Sequence, residues 1–115
     1  MAITEAYSLN AVTVGTTELS IVSGTTTLQT ITTAGVYQLF VDASNMAKGD
    51  EFHVKVYETV RAGGTKRVVL ASTLMGAQAE IFCTPSLILM NGWDMTMDKI
   101  AGTDRAFTAS IRKIA

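Results

Sequence analysis

Hydrophobic and polar residues alternate with a period of two along most of this chain, most clearly over residues 35–60. There Gly35-Val-Tyr-Gln-Leu-Phe-Val-Asp42 and Glu51-Phe-His-Val-Lys-Val-Tyr-Glu-Thr-Val60 flank a polar segment that ends in Lys48-Gly49-Asp50. Two runs rich in β-branched and aromatic residues about such a segment predict a β-hairpin with a longer loop. In the second arm Phe52, Val54 and Val56 alternate with Glu51, His53 and Lys55, which gives one apolar and one wet face. The first arm carries Val36, Tyr37, Leu39, Phe40 and Val41, so apolar groups fall on both faces. A strand covered on both sides is central in a two-layer fold or pressed against another chain.

The rest of the chain continues in short runs. Strands are predicted over 6–14 and 18–22, with an extended threonine-rich edge over 25–33. Arg61-Ala-Gly-Gly-Thr65 is a turn leading to a strand over 66–75, and a further strand begins over 79–83. Pro85 belongs at a strand edge or connection, Ser86 to Met90 reads as a buried run, and Asn91-Gly92 closes it. Trp93, Met95 and Met97 alternate with Asp94, Thr96 and Asp98, and Ala101-Gly-Thr-Asp104 turns the chain into 105–114, a final hairpin. No segment holds an apolar i, i+3, i+4 pattern long enough for a helix. About eight short strands predict an all-β, single-domain antiparallel β-sandwich over 1–115, jelly-roll or immunoglobulin-like, with Phe52, Val54, Val56, Trp93, Met95, Phe107 and Ile111 in its core.

Composition changes this picture in one respect. The chain is 48% hydrophobic and only 17% charged, where soluble domains carry about 25% charged residues. The deficit predicts that part of the surface faces another protein and not water. A membrane is not expected, since no apolar run approaches the roughly 18–20 residues that span a bilayer. A net charge of −1 gives no pull toward nucleic acid. The one cysteine, Cys83, rules out an internal disulfide framework and sits among apolar neighbours, so burial is expected for it. Met-Ala-Ile-Thr-Glu-Ala has neither the basic nor the apolar region of a signal peptide, which points to assembly in a reducing cytoplasm.

Candidate chemistry is sparse. His53 is the only histidine, and it has no Gly-x-Ser-x-Gly or His-Glu-x-x-His companion motif. Cys83 with His53 as base is open on spacing, but nothing in the sequence lowers the thiol pKa. Asp94 and Asp98 on one strand face are about 13 Å apart, wider than a glycosidase pair. The loop Asp42 to Asp50 offers oxygen ligands for calcium, yet it lacks the EF-hand spacing and contains Lys48. Gly63-Gly64-Thr65-Lys66 reads as a hairpin turn and not as a phosphate loop. Arg61, Lys66 and Arg67 form one small basic cluster, and Arg105, Arg112 and Lys113 another, without the interleaved aromatics of a nucleic-acid platform. Tyr7, Tyr37, Tyr57 and Trp93 are the candidates for sugar stacking, with core packing the expectation for Trp93. No enzyme activity, cofactor or metal is expected. The residues singled out for a protein–protein interface are Val36, Phe40, Tyr57, Arg61 and Arg67.

Three stretches, 35–58, Leu87-Ile-Leu-Met-Asn-Gly-Trp-Asp-Met-Thr-Met97 and Ala109-Ser-Ile-Arg-Lys-Ile114, resemble small β-sandwich proteins from the structural gene clusters of tailed bacteriophages. The resemblance covers about three quarters of the chain and is weakest in the threonine-rich N-terminal third. Among such proteins, short chains without catalytic residues are often capsid decoration (cement) proteins, which add to an assembled head lattice and help it resist the pressure of packaged DNA. It therefore implies a virion location, partners in the major capsid protein or other virion subunits, and a homo-oligomer, a trimer being one form that suits threefold lattice positions. Tail, neck or fibre subunits and carbohydrate-binding modules are the other classes that these features suit.

Overall fold

The computed structural model describes residues 2–114. Among them are nine strands and no helix: β1 Ile3–Val14, β2 Leu19–Ser20, β3 Gly35–Asp42, β4 Glu51–Thr59, β5 Lys66–Met75, β6 Phe82–Cys83, β7 Leu87–Leu89, β8 Asp94–Ala101 and β9 Arg105–Ile114. They form two antiparallel sheets. The first runs β1-β9-β3, with β6 and β7 in line along the far edge of β3, and the second runs β2-β8-β4-β5. Thr84 carries the ladder across the gap at Pro85: its N–H donates to Leu39 O and its hydroxyl accepts from Leu39 N, both at 3.0 Å.

With β6 and β7 counted as one interrupted strand, the wiring is a nested set. β1 pairs with β9, β2 with β8, β3 with β6/β7 and β4 with β5. That is one long hairpin rolled up until β9 also meets β3 and β8 meets β4. It is the jelly-roll arrangement, not the immunoglobulin one.

This wiring corrects two expected hairpins. β3 and β4 lie in different sheets, as do β8 and β9. Alternation says which face of a strand is buried, but not which sheet the strand joins. Residues 43–50 have the length to cross between layers, and 102–104 do the same for β8 and β9. β4 and β5, joined by the Gly63-Gly64 turn, are the hairpin that the sequence predicts correctly.

The interior follows the alternation. Tyr37, Leu39 and Val41 from β3 and Phe107, Ala109 and Ile111 from β9 meet Phe52, Val54 and Val56 from β4 and Met95 and Met97 from β8, all buried. Trp93 is fully buried, its ring 4.4 Å from that of Tyr37 and 6.0 Å from that of Tyr7. Phe52 and Phe107 pack edge to face at 4.8 Å across the two layers.

Local expectations fail where side chains replace the ladder. Over 25–33 only single bridges form, at Thr25 and Ile31. There Ser23 Oγ donates to Thr27 O at 2.9 Å and Thr27 N donates to Thr25 Oγ1 at 3.3 Å, so hydroxyls satisfy the backbone locally. Only Leu19 and Ser20 of 18–22 are strand, and only Phe82 and Cys83 of 79–83. The run 86–90 is not buried as a whole: Leu89 is, while Ile88 and Met90 are 79% and 52% exposed. Cys83 is exposed as well, because β6 edges the sheet and turns this residue outward opposite Phe40.

Candidate docking surface

The outward face of the first sheet is built by register. Ile3 on β1 pairs with Ile114 on β9, Ile114 with Val36 on β3, and Val36 with Ile88 on β7. Directly paired residues project from the same side of a sheet, so these side chains form one apolar row across four strands. Ile3 is 72% exposed and Ile88 79%. Val36 and Ile114 line a hollow of about 180 Å³ together with Ile3, Phe40 and Arg112.

Beside that row the face turns polar. Glu5, Arg112 and Gln38 form the next row, then Ser8, Ser110, Phe40 and Cys83. The Arg112 guanidinium stacks 4.0 Å over the Phe40 ring, a cation–π contact. Arg112 Nε donates to Ser110 Oγ at 3.3 Å, and Ser110 Oγ donates to Glu5 Oε2 at 2.5 Å. Gln38 Nε2 is committed to Thr84 O at 2.7 Å and to Cys83 Sγ at 3.0 Å. A second hollow of about 370 Å³ lies on the other side of this stack, lined by Ser8, Asp42, Ile81 and Thr108 among others.

The outward face of the second sheet is different in kind, because most of its polar groups engage one another, Asp98 Oδ1 being buried without a hydrogen-bond partner. Glu18 Oε2 accepts from Tyr57 Oη at 2.8 Å and from Thr96 Oγ1, and Lys55 Nζ lies 3.9 Å from Asp98. Burial, reinforced by the Glu18 carboxylate, pushes the Tyr57 phenol up to about 12. Asp94 is fully buried beneath the segment after β2, where it accepts from Ser20 Oγ at 2.7 Å and from Gln29 N at 2.9 Å. Burial raises its pKa, and those donors hold it back.

The five candidate interface residues thus fall on two surfaces. Val36 and Phe40 share the outward face of the first sheet. Tyr57 is half-buried on the second sheet, Arg61 is exposed in the β4–β5 turn, and Arg67 is exposed on β5. Sequence reading missed Ile3, Ile88 and Ile114. The signal was present in Ile114, which falls out of phase with Phe107, Ala109 and Ile111, and in Ile88, which stands between the inward Leu87 and Leu89.

The weaker chemical candidates are also placed. His53 and Cys83 lie on opposite sheets, facing outward, so they cannot act as a pair. In the 42–50 loop the Asp50 carboxylate accepts from Ala47 N at 2.9 Å, Thr103 N at 3.0 Å and Arg105 Nε at 2.6 Å, so a guanidinium stands where a cation would. Of the sugar-stacking candidates, Trp93 and Tyr37 are core residues, and Tyr7 and Tyr57 are half-buried. No protein-family profile, curated protein or solved structure matches this chain.

Proposed function

We propose that this protein is a structural subunit of a tailed-bacteriophage virion, a decoration protein that binds the assembled head lattice through the outward face of its first sheet. The observation that carries the reading is the apolar row Ile3–Ile114–Val36–Ile88 on a face where the alternation calls for polar residues. The jelly roll itself selects no function, since the same wiring serves capsid proteins, lectins and cupins. The low charge of the chain, the resemblance in 35–58 and 87–97, and the apolar row all support a protein partner. The burial of Trp93 and Tyr37 takes support away from a sugar-binding module.

The energetics suit lattice binding. Covering an exposed isoleucine gives at most roughly 1.5–3 kcal/mol. A few such side chains per subunit make a modest contact, and a ligand that binds only the assembled lattice stabilises it at every occupied site. Many weak sites then resist internal pressure with no single strong one.

The test is binding to preassembled capsids that lack the protein. The expected result is saturable binding at a fixed stoichiometry per lattice unit, greater capsid heat resistance, and loss of both on Ile88→Asp with circular dichroism unchanged. A few copies per particle by quantitative mass spectrometry would move the protein to the neck or tail. Capsids that ignore the wild-type chain, or bind Ile88→Asp equally well, would overturn the reading.

A further inference from the structure

Each sheet has two edges, and three of the four carry a device against pairing. β1 has two register shifts, after Glu5 and after Leu9, with Ala11 at φ 52°. The β6/β7 edge is broken at Pro85. β2 is only two residues long and gives way to the 21–33 segment. β5 has one bulge, opposite the Val56–Tyr57 step. Beyond that bulge Leu70-Ala-Ser-Thr-Leu-Met75 runs regularly, with no charge, no proline and no covering segment.

The direction of its free backbone groups follows from one bond. Gly76 N donates to Asp50 O at 2.9 Å, in register with Met75 opposite Glu51. Antiparallel ladders alternate, so Leu74, Ser72 and Leu70 point their N–H and C=O groups at β4, and Met75, Thr73 and Ala71 point theirs outward. The side chain that reaches this free edge does so as expected: Gln78 Nε2, on the exposed connection after β5, donates to Met75 O at 2.9 Å.

We infer that this edge pairs with the same edge of a second copy, antiparallel and centred on Thr73. A self-pairing must match outward-facing residues with outward-facing residues, and the register that uses all three of them in both copies sets Thr73 opposite Thr73 and Ala71 opposite Met75 of the second copy. The sequence is self-complementary in that register. Met75, 67% exposed, falls against the small Ala71, and the cations Lys66 and Arg67 lie at opposite ends, away from each other. About six backbone hydrogen bonds form, with Gln78 displaced, and the two second sheets become one continuous sheet. The contact is smaller than a standard interface, so the dimer is weak and grows with concentration. A twofold pairing closes at two copies and does not make a trimer. The inference stands independently of the virion reading.

Sedimentation velocity over about a hundredfold dilution series tests it. The wild-type chain should move from monomer to dimer with rising concentration. Thr73→Lys and Thr73→Glu place like charges on the twofold axis and should each stay monomeric, with unchanged circular dichroism, because Thr73 is exposed and its backbone bonds are not used by β4. Mixing the two variants should restore the dimer as a heterodimer. A wild-type chain that is monomeric throughout, a dimer that survives Thr73→Lys, or a mixture that stays monomeric would each overturn the proposal.

Discussion

Replacing Gly102 with alanine should be among the most damaging single-methyl changes in this protein. Gly102 opens the crossing from β8 to β9 with φ at +92°, where an alanine is strained. A Cβ placed there would stand 2.7 Å from the Asp50 Cα and 2.9 Å from the Gly49 carbonyl oxygen, and closer still to Asp50 Oδ1. Two of those three neighbours are backbone and cannot rotate away. The β3–β4 crossing would have to move, and with it the Asp50 bonds to Ala47, Thr103 and Arg105 that tie the two crossings together. Gly63 supplies the control: its φ is +78° and its Cβ would meet nothing within 4 Å. Gly63→Ala should therefore show the conformational cost alone, about 1 kcal/mol. Gly102→Ala adds overpacking of roughly 1–3 kcal/mol, for a total near 3 kcal/mol out of a typical 5–15. Urea unfolding followed by tryptophan fluorescence, with equal m-values, measures both. If Gly102→Ala falls within about 0.5 kcal/mol of Gly63→Ala, the two crossings are not locked as described.

Three other outcomes follow from the same geometry. Asp50 is held down to about 2 from 3.8, chiefly by the Ala47 and Thr103 N–H groups and then by Arg105. The unfolded carboxylate then binds its proton first as pH falls, so this contribution is whole above about 4 and lost toward pH 2; the urea midpoint should drop over that window, and Asp50→Asn should flatten the drop. Trp93→Ala empties the centre of the aromatic cluster and should cost about 3–5 kcal/mol, with Trp93→Phe milder; since Trp93 is the single tryptophan, the fall in the urea midpoint is read by circular dichroism. Cys83 should react with a thiol reagent in the native protein at the rate seen in denaturant, and strong native protection would contradict its outward placement.

The alternation made the layers legible because each inward position has one apolar side chain facing the other sheet. Phe52, Val54, Val56, Trp93, Met95, Phe107 and Ile111 are all core residues, as their spacing predicts. Strand partners were legible only at the Gly63-Gly64 turn, where the glycine pair, with Gly63 at φ +78°, marks a reversal of the chain; loop length alone does not decide, since the shorter 102–104 connection crosses between sheets. The β3–β4 connection looks local in sequence, yet Tyr37, Leu39 and Val41 meet Phe52, Val54 and Val56 across the core and not along a shared ladder. Cys83 and Ile88 were misjudged for one reason: apolar neighbours in sequence do not say which parity faces in, and the edge strands β6 and β7 are too short to show it. The apolar row was legible in one of its four residues. Val36 stood out, but its companions at 3, 88 and 114 come from strands that only the rolled-up register brings side by side.

The two proposed surfaces also bear on each other. Paired edge strands keep the same faces up, so in a β5–β5 dimer both first sheets lie on one side of the continuous sheet, and both apolar rows look the same way. On the proposed decoration reading, such a dimer would present two docking faces to one lattice, and the second face would bind at the effective concentration that the first one sets. Thr73 lies on the second sheet, away from the docking face. Thr73→Lys should nevertheless weaken capsid binding by roughly tenfold or more, through lost avidity and without loss of any contact. Ile88→Asp should abolish binding and leave the dimer intact. If Thr73→Lys dimerises poorly yet binds capsids as tightly as the wild type, the copies dock singly and the dimer serves some other contact. If Ile88→Asp also loses the dimer, the two surfaces are one, and the twofold axis runs through the first sheet instead.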